Sequence, residues 1–244
     1  MLTITGLSLG FGGPAILEGV DLHVGSGQIV SLVGPSGSGK SSILRAVMGL
    51  HPVLSGSITL GVPHAQMGML FQDDALLPWR SARDNVALGL RARGVAADER
   101  NRRANDWLRR MNLAGLESRY PGRLSGGQRK RVALAQVMAL EPKLMLMDEP
   151  FGALDAIVRH RITQDLLRLV EGQGITVLLV THDLEEALAL SDAVYLLSAG
   201  PRAKIAARHV VDLPRPRDLS AVHADPRFGP MLARLWADLS AAAA

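Results

Sequence analysis

The sequence contains no cysteine, and its aromatic residues are limited to four Phe, three Trp and two Tyr. Without cysteine, the chain has no disulfide framework, no thiolate metal site and no cysteine nucleophile. This absence allows a reducing compartment but does not prove one. A length of 244 residues suffices for one large domain or two small ones with a sizeable core.

The sequence also lacks a long uninterrupted apolar run, although 48% of its residues are hydrophobic and its mean hydropathy is +0.16. The longest stretch without Asp, Glu, Lys or Arg runs from Ala46 to Gln72, and it contains two prolines and four glycines. Such a stretch does not form a continuous apolar helix of about 20 residues. Residues 1–10 lack the basic start and apolar core of a signal peptide. We therefore expect the protein to stay in the compartment where it is made.

A strong excess of positive charge is absent as well, since the formal net charge is only +4. This surplus is too small to imply nucleic acid by itself, although the basic pI near 9.9 leaves that open. The arginine-rich region 81–120 also contains Asp98, Glu99 and Asp106. A solvated helix face with balanced charge is the favoured interpretation, and we expect no nucleic-acid partner.

Short apolar segments alternate with longer segments of helical periodicity. The predicted strands are Ile29–Val33, Met67–Phe71, Leu144–Met147, Ile175–Val180 and Ala193–Leu197. The predicted helices are Lys40–Gly49, Arg100–Met111, Gly127–Leu140, Ala156–Glu171 and Asp183–Leu190. This alternation predicts an α/β fold with a mainly parallel sheet.

Other segments interrupt the alternation. Met1–Val24 and Gly56–Leu60 have the pattern of amphipathic strands, which predicts a small antiparallel subdomain. We expect a main domain over residues 1–213, with a helical subdomain at about 81–140. Residues 214–244 are a Pro/Arg-rich extension, and we expect the end of that extension to be loosely held.

A glycine-rich loop follows the first predicted parallel strand directly. It consists of Gly34, Pro35, Ser36, Gly37, Ser38, Gly39, Lys40 and Ser41, which matches G-x-x-x-x-G-K-[ST]. Glycines let successive backbone N–H groups face one centre, and the following helix adds its N-terminal dipole. Lys40 is expected to reach the β- and γ-phosphates, and the Ser41 hydroxyl to bind Mg²⁺. A ligand-free turn is disfavoured, because a strand before and a helix after complete the context of the motif.

Two acidic residues follow the apolar segment Leu144–Met147. Open α/β sheets place ligand chemistry at the carboxyl ends of their strands. Asp148 can hold a hydrated Mg²⁺ ion, and Glu149 can act as a general base on an attacking water. An acidic pair alone is more often a solvated turn, but downstream of a phosphate loop the catalytic interpretation is favoured.

Polar residues also end two other strands. After Ile175–Val180, Asp183 and Glu186 can start the next helix as a cap, which leaves His182 unexplained. His182 could instead contact the γ-phosphate, and the residues alone leave both readings open. Gln72 could touch Mg²⁺ or water, but taken alone it is an ordinary polar residue at the end of a strand.

A second glycine pair precedes a long helical pattern. Ser125 and Gln128 have the spacing of a capping box around Gly126 and Gly127. Two glycines weaken a first turn by about 1 kcal/mol each relative to alanine, whereas bare N–H groups at a helix start suit a closely approaching anion. A two-fold dimer in which this loop closes over the partner's nucleotide would explain both glycines.

Together these residues resemble the ATP-binding subunit of an ABC transporter, and the resemblance covers most of the chain. By this resemblance, Walker A is Gly34–Ser41 followed by Ser42, the Q-loop glutamine is Gln72, the signature is Leu124–Gln128, and Walker B is Leu144–Asp148 with Glu149. The resemblance also implies a D-loop at Ala153-Leu154-Asp155, a switch histidine at His182, and Phe11 against the adenine ring.

The fold so implied is an α/β phosphate-loop NTPase core with an antiparallel and a helical subdomain. The resemblance further implies ATP and Mg²⁺ as cofactors and a homodimer or paired ATPase subunit. Integral membrane permease subunits and a solute-binding protein are implied as partners. The expected location is the cytoplasmic face of the cell membrane, as a peripheral protein.

Finer features resemble the nitrate/sulfonate/taurine importer group. They are Phe71–Arg80, Asp84-Asn85-Val86 and Asp212–Arg217. Leu77 and Trp79 suit a docking patch for a membrane subunit; the alternative is packing against the helical lobe.

An exporter or lipid-handling ABC ATPase stays open at this stage. An ATPase acting on DNA is disfavoured, because the 85 positions from Lys40 to Ser125 hold no sustained heptads of a coiled coil. An ATPase acting on ribosomes is disfavoured as well, because it would normally carry two such domains in one chain.

Overall fold

Two β-sheets organise the chain, which the computed structural model describes over residues 1–152 and 154–243. The strands are β1 (Leu2–Leu9), β2 (Leu17–Val24), β3 (Ile29–Val33), β4 (Ser55–Leu60), β5 (Met67–Leu70), β6 (Leu144–Asp148), β7 (Thr176–Thr181), β8 (Ala193–Leu197) and β9 (Ile205–Val210). The helices are α1 (Lys40–Val47), α2 (Ala82–Ala92), α3 (Ala97–Arg110), α4 (Gly126–Met138), α5 (Ala156–Gly172), α6 (Leu184–Leu190), α7 (Leu219–Ala224) and α8 (Phe228–Ala243).

The larger sheet has the strand order β5-β6-β7-β3-β8-β9, and all its pairs are parallel except the antiparallel pair β8–β9. Every residue of β3, β6 and β7 is buried, as expected for parallel strands covered on both faces. The five predicted strands are confirmed, with shifts of one residue at some ends. Parallel pairing brings the carboxyl ends of β5, β6, β7 and β3 to one edge of the sheet.

The smaller sheet is antiparallel, with the order β2-β1-β4, which confirms the predicted antiparallel subdomain. A glycine is required where β4 crosses an irregularity in β1. A Cβ atom on Gly56 would lie 2.4 Å from the carbonyl oxygen of Gly6, and Gly56 has a φ of +86°. Only glycine combines that approach with that conformation.

The predicted helical subdomain contains α2, α3 and α4, which pack on one another. On α3, Arg102 pairs with Glu99 and with Asp106, and Arg109 also pairs with Asp106. The arginine-rich face is therefore balanced by neighbouring acids, which supports the interpretation of a solvated helix surface. No helix within residues 1–152 and 154–243 combines the length and apolarity needed to cross a membrane.

The end of the chain differs from expectation, because it is helical and packed rather than loosely held. Helix α8 contacts α6, β8 and β9, and the N–H of Ala199 donates to the carbonyl of Ala242 at 3.1 Å. Phe228 and Leu235 are buried in the same core as the main sheet. Their helical spacing supplies an apolar face that was overlooked beside the prolines and arginines. The division of the chain at residue 213 stays a prediction.

The Pro/Arg run at residues 212–217 attaches this extension to the core. The Arg217 side chain is fully buried, and its guanidinium donates to the carbonyls of Leu188, Ala189 and Ser191 at 2.6–3.2 Å. These carbonyls lie at the C-terminal end of α6, where they lack intrahelical partners. Burial lowers the pKa of Arg217 to about 10. Arg217 therefore holds the end of the helix that follows His182.

Replacing Arg217 by methionine should lower the free energy of unfolding by about 3 kcal/mol, because three buried carbonyls lose their donor. Urea denaturation followed by circular dichroism measures the effect. Arg227→Met is the matched control, since Arg227 makes only exposed ion pairs and its loss should change the midpoint little. Equal midpoints for the two variants would contradict the anchoring role of Arg217.

Candidate nucleotide site

The glycine-rich loop connects β3 to α1, and its shape depends on two glycines with positive φ angles. Gly37 has a φ of +79°, and Gly39, the N-cap of α1, has a φ of +92°. A Cβ atom on Gly39 would lie 2.8 Å from Cγ of Leu17, so that β2 closes off any side chain there. The loop therefore curls ahead of a helix start whose first N–H groups are free of intrahelical partners.

Lys40 and Ser38 supply the polar groups inside this loop. The Lys40 ammonium donates to the carbonyls of Gly34 and Pro35 at 2.8 Å each. Burial lowers the pKa of Lys40, while the nearby charges of Glu149 and Asp148 oppose that shift. The buried Ser38 hydroxyl has no hydrogen-bond partner among the described residues. A cation, an orphaned hydroxyl and helix N–H groups together suit a phosphate chain.

The oxygen atoms of Ser41 and Asp148 meet beside the loop. The Ser41 hydroxyl donates to Oδ1 of Asp148 at 2.8 Å, joining the start of α1 to the end of β6. Burial raises the pKa of Asp148, and the hydrogen bond from Ser41 opposes this shift. Hydroxyl and carboxylate oxygens are the ligands that Mg²⁺ prefers. The two residues therefore fit the predicted metal site.

Gln72 lies two residues after β5, on the same edge of the sheet. Its backbone carbonyl accepts a hydrogen bond from the Lys130 ammonium at 3.3 Å. Over the described residues, no hydrogen bond joins its side-chain amide to Ser41 or Asp148. The roles of Gln72 in metal binding and catalysis stay predictions.

Glu149 and His182 lie side by side where β6 and β7 end. The backbone N–H of Glu149 donates to the carbonyl of Val180 at 2.8 Å, and Glu149 has a φ of +40°. Its carboxylate Oε2 is 3.1 Å from Nδ1 of His182. A non-glycine residue with positive φ is held there only by its surroundings, and such strain clusters at functional sites. The structure therefore brings together the predicted base and the predicted switch histidine.

The cap interpretation of the same segment also holds. The Asp183 carboxylate accepts from the backbone N–H of Glu186 at 3.0 Å and so starts α6. The cap uses Asp183 and leaves the His182 ring to face Glu149, and the contact of His182 with the γ-phosphate stays a prediction. His182 is positioned by the cap that follows it.

Two residues in this part of the site were not assigned to it from the sequence. Glu186 and Arg159 line a small cavity of about 50 Å³ together with Glu149 and His182. Burial raises the pKa of Glu186 to about 7. The sequence indicated only that Glu186 starts a helix, because its partial burial beside Arg159 and Thr181 depends on packing between distant elements and leaves no local pattern.

The second glycine pair begins α4 as predicted. The Ser125 hydroxyl accepts from the N–H of Gln128 at 3.3 Å, and the Gln128 side chain accepts from the N–H of Ser125 at 2.9 Å. A Cβ atom on Gly127 would lie 2.7 Å from Cγ1 of Val158 on α5, whereas one on Gly126 would meet no atom closer than 3.8 Å. The close approach of α5 therefore explains why residue 127 is glycine, which the sequence did not reveal. Gly126 faces open space.

The two remaining predicted residues lie at the periphery. Phe11 is 64% exposed, and its ring packs edge-on against His51 with 4.4 Å between centroids, which leaves a ring face for a ligand. The Asp155 carboxylate caps α5 by accepting from the N–H of Val158 at 3.0 Å. Ala153, the first residue of the predicted D-loop, lies outside the described residues. The ligand and dimer roles of Phe11 and Asp155 stay predictions.

Known proteins are similar to this chain in sequence and in fold. A family model described as ABC transporter matches residues 17–152. The chain is 44% identical over 206 residues to the taurine import ATP-binding protein TauB of Escherichia coli K12, covering 82% of this chain and 81% of the relative. It is 43% identical over 206 residues to the Shigella flexneri protein of the same name, with the same coverage of both chains.

Solved structures share the fold. The dimeric ATP-binding cassette MJ0796 bound to ADP and Pi superposes with a TM-score of 0.77 at 28% identity, covering 88% of this chain and all of that chain. CbiO1 from Clostridium perfringens, part of an ABC transporter complex, gives a TM-score of 0.75 at 24% identity, covering 95% and 98% of the two chains. These similarities confirm the predicted α/β architecture. Because the family model matches more than half of the residues of this chain, the chain belongs to the ABC transporter family.

Proposed function

We propose that this chain is the ATP-binding and ATP-hydrolysing subunit of an ABC importer for small sulfonate-like solutes. One observation carries the ATPase assignment: the phosphate loop, the Ser41–Asp148 pair and the Glu149–His182 pair lie at one edge of the parallel sheet. The importer assignment is supported by relatives named for taurine import at 44% identity.

In this proposal the loop from Gly34 to Ser42 holds the triphosphate, with Lys40 on the β- and γ-phosphates. Ser41 and Asp148, joined by Gln72, would hold Mg²⁺, which supplies neutralisation of phosphate charge when bound. Phe11 offers its exposed ring to the adenine base.

Hydrolysis is assigned to the pair at the ends of β6 and β7. Glu149 would orient the attacking water and take its proton, since its carboxylate lies at the edge next to the loop. His182, 3.1 Å from that carboxylate, would hold the base in place and contact the γ-phosphate. Gln72 would help to align the same water.

Replacing Glu149 by glutamine should reduce kcat by about 10³-fold while MgATP binding persists, because the amide cannot take a proton. Phosphate release measures hydrolysis, and size-exclusion chromatography with ATP measures dimer formation. Glu185→Gln is a matched control, since Glu185 is an exposed acid of α6 outside the proposed catalytic set. Normal turnover by the Glu149 variant would refute the base assignment.

A homodimer is proposed because the loop at Ser125 is exposed at a helix start, and no hydrogen bond of the described residues joins it to the phosphate loop of its own chain. In a two-fold dimer, Ser125, Gly126 and the helix start would close over the partner's nucleotide. Asp155, which caps the neighbouring helix α5, would then contact the partner chain.

Ser125→Arg should abolish hydrolysis but change the Kd for MgATP by less than about twofold, because the nucleotide loop of the same chain is untouched. Equilibrium dialysis with a non-hydrolysed ATP analogue measures binding. Mixed dimers of one Ser125→Arg chain and one Lys40→Ala chain show on which nucleotide the Ser125 loop acts. If the loop acts on the partner's nucleotide, one site stays intact, whereas neither site is intact if it acts on the nucleotide of its own chain. If nucleotide binding were lost on the chain carrying Ser125→Arg, the loop would act in cis and the dimer arrangement would be wrong.

The proposed partners are two integral permease subunits and a solute-binding protein, with this chain peripheral at the cytoplasmic membrane face. Trp79 is 70% exposed beside the half-buried Leu77. The buried Asn85 fixes their loop, accepting from the N–H of Leu77 at 2.7 Å and donating to the carbonyl of Arg80 at 3.1 Å. An exposed tryptophan on a rigid loop is typical of a docking surface.

Trp79→Ala should leave ATP hydrolysis by the isolated protein unchanged but lower its affinity for the permease subunits by at least about tenfold, as for an interface anchor. Co-purification from membranes and taurine uptake into cells measure the two effects. Trp236→Ala is the matched control, since Trp236 is 55% exposed on α8. Equal association of both variants would exclude Trp79 from docking, and recovery of DNA or ribosomes would overturn the transport assignment.

A further inference from the structure

A charge cluster that includes a buried lysine lies outside the nucleotide loop and contacts two of the predicted motifs. The two carboxylate oxygens of Asp74 each have a cationic partner on α4: Oδ1 is 2.9 Å from Nζ of Lys130, and Oδ2 is 3.5 Å from Nε of Arg129. The Lys130 side chain is only 4% exposed. A lysine is this deeply buried only where its charge is compensated. We name these three residues the Asp74 clamp.

Each cation of the Asp74 clamp also holds a backbone carbonyl of a predicted motif. Lys130 donates to the carbonyl of Gln72 at 3.3 Å. Arg129 donates to the carbonyl of Leu124 at 2.8 Å, and Leu124 immediately precedes Ser125. Asp74 therefore joins the segment that bears Gln72 to the segment that bears Ser125.

The loop after Gln72 bends in an unusual way to reach the cations. Ala75 has a φ of +51°, in the left-handed region that alanine seldom occupies. Such a conformation persists only where neighbouring contacts hold it. The Asp74 clamp provides such contacts on one side of Ala75, since it holds the preceding residue from two directions, and Asn85 holds Leu77 on the other side.

We propose that the Asp74 clamp is a positioning device that fixes Gln72 relative to the signature loop. The inference rests on the proposed roles of Gln72 and Ser125. When Ser125 seats on the partner's nucleotide, Arg129 and Lys130 move with α4, and the salt bridge carries Gln72 with them. The proposal assigns the clamp residues no contact with ATP or with the attacking water; they act through Gln72.

Lys130→Met should lower kcat by about tenfold, in line with the cost of a misplaced catalytic group. The Kd for a non-hydrolysed MgATP analogue should stay within about twofold of wild type, because the phosphate loop is elsewhere. Lys130→Arg, which keeps the charge and can donate to both partners, should restore most of the rate. An unchanged kcat in Lys130→Met would overturn the proposal.

A double-mutant cycle with Gln72 separates positioning from a general structural effect. If the clamp acts through the Gln72 side chain, adding Lys130→Met to Gln72→Ala should lower kcat by less than about a further twofold, since the positioned group is already gone. If the double variant instead loses the product of the two single losses in kcat, Lys130 acts elsewhere and the proposal is overturned.

Arg103→Met is the matched control on the same lobe. Arg103 also pairs with a carboxylate, that of Glu141 at 2.8 Å, and donates to a carbonyl, that of Ala139 at 2.8 Å. Its loss should lower stability without lowering kcat at a temperature where the variant is folded. A fall in kcat equal to that of Lys130→Met would attribute the effect to the lobe as a whole and overturn the clamp.

Two further measurements keep the test decisive. If Lys130→Met does not fold, Asp74→Asn removes the shared carboxylate charge from a partly exposed loop and should give the same rate loss and the same cycle with Gln72→Ala. Wild-type protein that does not hydrolyse ATP would refute the proposed function itself. Hydrolysis by wild type with unchanged rates in Lys130→Met and Asp74→Asn would refute the Asp74 clamp alone.

Discussion

Parallel pairing of β6, β7 and β3 is the constraint on which the rest of the site depends. The register sets Val33 opposite Thr181 and Asp148 opposite Val180. The residue after each strand therefore emerges at the same edge, although the three strands are far apart in the chain. Because all three strands are buried on both faces, a one-residue slip would exchange the side chains packed on the two faces and shift the polar residues away from this edge.

Burial at this edge then sets the electrostatics. It lowers the pKa of Lys40 and raises the pKa of Asp148 and of Glu186. Burial is the largest cause of each shift, since each charged form loses water. Neighbouring carboxylates add to the rise in the pKa of Asp148 and Glu186, whereas hydrogen bonds and opposite charges offset part of it. A ligand that brings both phosphate charge and a cation stabilises the buried charges of such a site. The fit of Ser41 and Asp148 to such a cation follows from the same geometry.

The lobe formed by α2, α3 and α4 packs on β5 and α5 through α4, and charge also ties it to this edge. The pairing of Asp74 with Lys130 and Arg129 links the loop after β5 to the start of α4. Arg217 plays a comparable part on the other side, where it holds the end of α6. The first contact connects two segments that carry predicted site residues, and the second supports the helix that follows His182; Lys130 and Arg217 are both buried. The site is thus braced from outside its own strands.

The sequence by itself determined the parts of this protein that are encoded locally. The phosphate loop is contiguous, with a strand before it, glycines at the turn and a helix after it, so that Gly34–Ser41 could be assigned from spacing alone. Asp148 and Glu149 were predicted as site residues because they follow an apolar strand, whereas the role of His182 was implied only by the family resemblance. The parallel sheet was predicted because short apolar strands alternate with helical segments along the chain. The folding of residues 228–243 as a packed helix was missed, because prolines and arginines nearby masked an apolar face.

Only the tertiary structure decided what depends on contacts between distant elements. These include the approach of Glu149 to His182, the burial of Glu186, the lack of space for a side chain at Gly127 beside Val158, and the pairing of Lys130 with Asp74. The physical reason is common to all of them. Local sequence sets the period of a helix or strand, whereas desolvation and close approach depend on which elements pack together.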